Sequence, residues 1–289
     1  MSSKRMATYY WMTIPAVLLF FLFLTLPAIQ GVFYSFTNWN GFGKEYDFVG
    51  IRNYVSLFTD NVVGEAYWFT IKYAVVVTIF INIFSLLIAV GLNSRIKFRN
   101  FFRGVYFLPN ILSVLIVGYI FNYLFSNVFT VWGQTLGINW LSTNILGNDS
   151  LAWIGIVIVA VWQGIALNTI LYLAGLQTIS HDLYEASSLD GAGKWREFWS
   201  ITFPLIAPFF TINMVLAMKN ALMVFDQIVA LTNGGPGRAT QSISFLIYTG
   251  GFEGGEFAYQ SANSVIYFIV IAVISILQIR FLQRREMDM

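Results

Sequence analysis

Side chains able to do covalent chemistry are scarce in this chain. Among its 289 residues there is no cysteine and a single histidine, His181. Disulfides, thiolate nucleophiles and cysteine metal sites are therefore excluded, and a histidine-built metal centre has too few ligands. Acidic residues gather near that histidine: Asp182, Glu185 and Asp190 precede Gly191, Gly193 and Lys194. The run Gly191-Ala192-Gly193-Lys194 superficially looks like a phosphate loop. That motif needs Gly five positions before its Gly-Lys pair and Ser or Thr after it, and Ser188 and Trp195 stand there instead. A His-Glu-x-x-His run is also missing, as is any aspartate pair inside an apolar stretch, so an intramembrane enzyme has no equipment here. What remains is binding chemistry: amides, hydroxyls and a few charges set singly into apolar runs.

The elements that carry these groups are set by composition. The chain is 57% hydrophobic, 18% aromatic and 10% charged, against about 25% charged for soluble domains. A net charge of +2, with no basic cluster interleaved with aromatics, gives no basis for a nucleic-acid partner. Six stretches approach the roughly 20 apolar residues that cross a bilayer: about Trp11–Ser35, Tyr73–Leu92, Gly104–Phe125, the interval between Asp149 and His181, Ile201–Leu231 (interrupted by Lys219 and Asp226), and Phe257–Ile279. Continuous apolar runs must be helical in lipid, where a lone strand leaves its backbone unpaired, and they lack the short alternating pattern of a barrel. The expected fold is an all-α membrane protein of six transmembrane helices in one domain over residues 1–289. The first run is too long for a secretory signal and no cleavage pattern follows, so it reads as a retained span.

Basic residues set the expected orientation. Lys4, Arg5, Arg95, Lys97, Arg99, Arg103, Lys194, Arg196, Arg280, Arg284 and Arg285 fall on one side; Lys44, Arg52, Arg238 and Lys72 fall on the other. Eleven against four places both termini in the cytoplasm. Of the outer connections, Phe48–Tyr54 reads as a short structured element, and Asn127–Asp149 as a polar, aromatic loop with Trp132 and Trp140 at the interface.

The loop between spans four and five, about residues 180–204, is the most informative. Ser180 suits an N-cap, Asp182 and Glu185 suit the positive end of a helix dipole, and Leu183, Ala186 and Leu189 share one apolar face beside Tyr184. Gly191 and Gly193 stop that helix. A second helix from Lys194 carries Trp195, Phe198 and Trp199 toward Pro204, which suits a helix start. A helix lying on lipid usually carries basic residues on its polar face; Asp182, Glu185 and Asp190 point to a protein partner instead.

Over the same residues the chain resembles the permease subunits of binding-protein-dependent ABC importers. Their signature is Glu-Ala-Ala, three residues, Gly, nine residues, Ile, one residue, Leu-Pro. It falls here on Glu185-Ala186-Ser187, Gly191, Ile201 and Phe203-Pro204, with Ser for the third Ala and Phe for Leu. A second stretch, Phe225-Asp226-Gln227-Ile228-Val229-Ala230-Leu231-Thr232-Asn233-Gly234-Gly235-Pro236, resembles the carbohydrate branch and its first maltose-type permease subunit. The resemblance implies the type I importer permease fold, in the plasma membrane of a prokaryote. The loop would be a coupling helix docked in a cytoplasmic ATPase, with Glu185 on the ATPase surface, Ala186 allowing close approach and Gly191 making the turn. A second homologous permease would complete the pore as a heterodimer, and an external solute-binding protein would deliver a sugar or oligosaccharide. ATP and Mg would be used by the ATPase subunits, with no cofactor bound by this chain.

Polar groups inside spans face the bundle interior or an aqueous path. They are Asn82, Ser113, Gln163, Asn168, Asn213, Lys219, Asn220 and Asn263, and helix-to-helix hydrogen bonding is the plain alternative for each. Gln163, Gly164 and Leu167 share a face, as do Asn213 and Asn220. The family's transport path lies on spans around the coupling loop, which favours Ser113, Gln163 and Asn220 as sugar contacts, with Trp162, Tyr172 and Phe225 as aromatic neighbours. Lys219 and Asp226, also seven apart, could approach one another on one side of span five, which reads as an internal ion pair or a snorkelling lysine. An ion-coupled transporter or channel subunit is the alternative function; it calls for intramembrane carboxylates, and only Asp226 is available.

Overall fold

A computed structural model describes residues 3–94, 97–139 and 141–287. Arg95 and Trp140, used above for orientation and interface, lie outside the described residues, as do the side chains of Lys4, Arg5, Arg99, Arg103 and Arg285. The described chain is helical, and its one β-type pairing is an isolated bridge between Thr37 and Phe48.

In chain order the helices are α1 (Trp11–Tyr34 in its apolar part), α2 (Arg52–Leu57), α3 (Asn61–Asn93), α4 (Arg99–Ile111), α5 (Val114–Leu136), α6 (Ala152–Leu176), α7 (His181–Leu189), α8 (Lys194–Leu205), α9 (Ala207–Leu222), α10 (Asp226–Leu231), α11 (Ile243–Tyr248) and α12 (Phe257–Met287). Helices α1, α3, α5, α6 and α12 are each long and apolar enough to cross a bilayer. The residues of a sixth crossing are divided: α8 and α9 meet at a 70° bend, and only together do they match the others in length and hydropathy.

Three boundaries differ from expectation. The third span starts at Val114, not Gly104, and α4 is a separate helix. Pro109 removes a backbone donor near the end of α4, and Leu112 and Ser113 are extended, with ψ 139° and 136°. At its other end α5 runs on to Leu136, so Asn127–Leu136 is span rather than loop; Gly137, at φ +70°, ends it. The fifth span, expected as one run from about Ile201, is bent, and Pro204 starts no helix but sits inside the helical run of α8. The break comes at Ile206, and Pro208 occupies the first turn of α9. A 16-residue α9 is about 24 Å long, short of the roughly 30 Å hydrocarbon core. The chain then breaks at Met223–Phe225 before α10.

Contacts group the chain into two compact units: residues 1–64 with 246–269, and residues 65–245 with 270–289. In the first, the expected element around Phe48–Tyr54 is present. Asn53 Nδ2 donates to the Ser35 and Thr37 carbonyls, both at 2.8 Å, and Ser35 Oγ lies 2.6 Å from Tyr54 Oη. Tyr34 stacks on Trp39, and Tyr259 Oη donates to Asp60 at 2.8 Å.

The larger unit holds a core of Tyr73, Val77 and Ile81 from α3, Ile156 and Val159 from α6, and Leu222, Ile228 and Leu231. Lipid offers little drive for apolar residues to leave it, so these helices associate through close backbone approach at small residues. A Cβ added at Gly118 of α5 would collide with the Ala230 Cβ of α10, and one at Gly175 of α6 would come within 2.6 Å of the Phe209 ring. Lys72, placed above among the outer connections, lies within α3 with its ammonium 4.2 Å from the Trp153 ring centre.

The Gly118–Ala230 contact makes a paired prediction. Gly118→Ala should destabilise the chain by about 1–3 kcal/mol through overpacking, read as a lower unfolding midpoint in detergent. Ala230→Gly in the same chain should recover most of that loss. Equal losses in both backgrounds would mean that this contact does not set the α5–α10 distance.

Candidate functional site

Two features of the larger unit gather the residues singled out by sequence. The first is α7. Ser180 Oγ accepts from the Asp182 amide at 3.3 Å, satisfying one of the free donors of the first turn. At the other end the Ala192 amide reaches the Ser187 carbonyl at 3.1 Å and the Gly191 amide reaches that of Ser188 at 3.2 Å. That pair of bonds is a Schellman closure, and it needs the left-handed conformation found at Gly191, φ +75°. Both ends of a nine-residue helix are thereby fixed without help from neighbouring spans.

Its faces are reversed relative to an ordinary surface helix. The inner side is held by a hydrogen bond between Tyr184 Oη and Thr202 Oγ1 at 3.1 Å, and by the buried Ser187. The outer side presents Leu183, Ala186 and Leu189, the last 89% exposed. Asp182, Glu185 and Asp190 are exposed beside them, and His181 Nδ1 lies 3.1 Å from Glu185 Oε1. Pro204 lies further on, within α8, and is half-buried. An apolar stripe turned outward within an acidic rim has the pattern of a protein contact, an apolar centre with a polar margin.

The second feature is a cavity of about 460 Å³ between α3, α6, α9 and two chain breaks. It is lined by Gln163, Gly164, Leu167 and Asn168 of α6, by Lys219 and Asn220 of α9, by Phe225, Asp226 and Gln227, and by Tyr73 and Asn110. Gln163 is buried, and its Nε2 donates to the carbonyls of Leu112 (3.2 Å) and Pro109 (3.4 Å), freed where α4 ends. Asn168 Nδ2 likewise donates to the Gly164 carbonyl at 2.8 Å. With both amide nitrogens engaged, Gln163 Oε1 and Asn168 Oδ1 are left buried without a partner among the described residues. Both residues line the cavity, although these two oxygens are themselves closed to solvent; beside them stand the Phe225 ring and the Tyr73 hydroxyl, which donates to Gln227 at 3.0 Å.

Of the residues read from sequence as a solute path, Gln163, Gly164, Leu167, Asn220 and Phe225 come together here. Ser113, Trp162 and Asn213 do not. Ser113 is in the extended link before α5, beyond the wall formed by Asn110, Leu112 and Val114. Trp162 turns to the other side of α6 and packs on Phe121, centroids 5.2 Å apart. Asn213 shares a face with Asn220 but is fully buried, its amide donating to the Phe209 carbonyl at 2.9 Å. Tyr172 is also buried and donates to Asn82 at 2.6 Å, which makes both helix-to-helix ties. Lys219 and Asp226 both face the cavity, but no ion pair within 4.0 Å joins them; the break at Met223–Phe225 destroys the register a seven-residue spacing assumes. Asn110 and Gln227 escaped the sequence reading. Each adjoins a more conspicuous residue, Pro109 and Asp226, and neither carries a periodic signal of its own.

Comparison with known proteins follows the same lines. Residues 81–287 match the family described as binding-protein-dependent transport system inner membrane component. The chain is 38% identical to the probable starch degradation products transport system permease protein AmyD of Thermoanaerobacterium thermosulfurigenes, over 97% of this chain and 96% of that protein. It is 38% identical to the multiple sugar-binding transport system permease protein MsmF of Streptococcus mutans, over 99% and 100%. Identity to the sn-glycerol-3-phosphate transport system permease protein UgpA of Escherichia coli is 31%, over 96% and 94%. The fold is shared with a chain of a bacterial ABC transporter involved in the import of the acidic polysaccharide alginate: TM-score 0.84 and 23% identity, covering 97% of this chain and 96% of that one.

Because the chain has no cysteine, single cysteines test the cavity directly. Asn220→Cys should react readily with a hydrophilic thiol reagent. Asn213→Cys should react slower by an order of magnitude or more, since burial both blocks access and raises the thiol pKa, each unit costing about tenfold in thiolate. Similar rates at the two positions would show that the cavity extends along α9 past Asn213.

Proposed function

The chain belongs to the family of binding-protein-dependent transport system inner membrane components, and on that premise we propose that it forms half of the pore of an ATP-driven importer for a neutral sugar or oligosaccharide. It is a multi-pass membrane transport component and not an enzyme, as are the permeases it resembles. In the proposed assembly it sits in the plasma membrane of a prokaryote, with both termini in the cytoplasm. It pairs there with a second, homologous permease, two ATPase subunits on the cytoplasmic side and a solute-binding protein outside.

One observation carries this reading: α7 is a rigidly capped helix in a loop between spans that turns its apolar residues away from its own chain. Leu183, Ala186 and Leu189 exposed to water would cost free energy at roughly 25 cal/mol per Å² of apolar surface. A cleft on an ATPase would remove that cost. The carboxylate of Glu185 would be met there by basic or amide donors, and Ala186 leaves room for close approach. Phosphates and Mg would be handled by the ATPase, since residues 188–195 lack the phosphate loop. Closure of the ATPases on ATP would displace α7, and with it α8 and α9, whose far end is the cavity wall.

The preference for a sugar rests on the cavity. Gln163, Asn168, Asn220 and Gln227 line it with uncharged amides, which suit hydroxyl groups. Phe225 supplies ring surface for a sugar face. The relatives named for starch degradation products and multiple sugars point the same way.

Two measurements test these proposals separately. Tagged chain purified in mild detergent should bring with it an ATPase and a second permease, and Glu185→Lys or Gly191→Pro should lose the ATPase while retaining the permease. A chain that purifies alone and moves solute in liposomes under an ion gradient without ATP would instead be a secondary transporter, with Asp226 in the cavity as its coupling group. For the cavity, Gln163→Ala and Asn168→Ala should each lower uptake at limiting sugar by about tenfold, the worth of one charge-free hydrogen bond left unmade in a closed site (about 1.4 kcal/mol). Unchanged uptake in both would remove these amides from the solute path.

A further inference from the structure

Helix α8 has a face that neither the core nor α7 uses. Its inner side is committed: Thr202 bonds Tyr184, and the buried Glu197 carboxylate accepts from Lys194 Nζ at 3.0 and 3.1 Å. On the other side Trp195, 76% exposed, meets Trp199 with centroids 5.7 Å apart. Trp199 in turn meets Phe203 at 5.2 Å, and Phe203 meets Phe210 of α9 at 5.5 Å. A π-helical turn at Phe198–Thr202 keeps the rings in one line where an unbroken α-helix would rotate them apart. The ladder therefore runs along α8 and round the bend at Ile206, and ends where Phe210 packs against the buried cluster of Tyr172, Leu176 and Ile206.

We propose that α8 lies in the membrane–water interface, with Trp195 and Trp199 seated among lipid headgroups and upper acyl chains, and so anchors the base of α7 to the bilayer. Two observations select lipid over a protein partner. The 70° bend turns α8 nearly into the membrane plane when α9 crosses it. Trp195 and Trp199 are exposed side by side, and Trp supplies an apolar body with a polar edge, the side chain suited to the depth of an interfacial belt, with the exposed Arg196 placed to meet anionic headgroups. The loop is thus divided: α7 faces a protein and α8 faces lipid. This inference requires that α9, together with the segment through its break to Leu231, crosses a bilayer, and it stands or falls independently of what α7 binds.

The assembled transporter, reconstituted in phosphatidylcholine–phosphatidylglycerol vesicles, provides the test. Spin labels at Trp195→Cys and Trp199→Cys should be several-fold more accessible to oxygen than to a water-soluble nickel chelate, unlike a label at Leu189→Cys. High chelate access at 195 and 199 would place α8 in water, and low access to both reagents would place it under a protein subunit; either result overturns the proposal. Should these variants fail to assemble, the conservative Trp195→Phe/Trp199→Phe chain serves instead, compared with wild type in vesicles whose acyl chains carry bromine. The emission lost in the variant should be a component that bromine quenches; if it is an unquenched component, the proposal fails.

Discussion

Every backbone amide and carbonyl at membrane depth must find a partner, because hydrocarbon offers none. This chain nevertheless interrupts its helices beside the cavity at Leu112–Ser113 and again at Met223–Phe225. Buried polar side chains help to make those interruptions and the nearby helix ends tolerable. Gln163 donates to the carbonyls of Pro109 and Leu112. Ser242 donates to the Val224 carbonyl at 2.9 Å and accepts from the Phe245 amide at 3.2 Å, while Thr70 accepts from the Ile243 amide at 3.0 Å. Asn122 closes the end of α10 by donating to the Leu231 carbonyl at 2.6 Å. Both breaks line the cavity, so the concave site is a consequence of helices that stop early and are compensated from the side.

The same constraint explains which parts of the architecture were legible in the sequence. Six apolar runs could be counted because hydropathy marks a span directly, and the caps of α7 could be read because Ser180 and Gly191 act on their own neighbours. The breaks were not readable. Leu112-Ser113 and Met223-Val224-Phe225 are as apolar as the helices they interrupt, and their compensation comes from Gln163 and Ser242, distant in sequence. For that reason the third span was expected ten residues too early, at Gly104 instead of Val114. Lys219 and Asp226 were expected to pair across a helix that is not continuous.

Periodicity has a second limit, visible within a single unbroken helix. Asn213 and Asn220 do point the same way round α9, yet one is sealed and the other lines the cavity. Spacing of seven gives direction about the axis; it says nothing of how far along the axis a groove extends. On α6 the spacing of Gln163, Gly164 and Leu167 brings all three to the cavity because nearby positions sample one depth, whereas Trp162, one residue earlier, already turns to Phe121.

The outward apolar stripe of α7 inverts the usual rule that a helix buries its apolar face against its own chain. The inversion costs free energy unless something else covers the face, and the helix is built to keep the face in place regardless. A capped start, a Schellman end and the Tyr184–Thr202 bond hold it against α8. From Thr202 the backbone continues through Ile206, whose amide bonds the Thr202 carbonyl at 3.1 Å and whose carbonyl accepts from Phe210 at 3.0 Å. The bend therefore retains its hydrogen bonds and acts as a bracket. A displacement applied at α7 would reach Asn220 and the Met223–Phe225 break along bonded backbone, and those residues are the cavity wall. With no phosphate loop in the chain, the free energy for such a displacement has to enter through a surface. Among the described residues α7 combines an outward apolar stripe with two locally closed ends, and under the proposed function that combination makes it the point of entry.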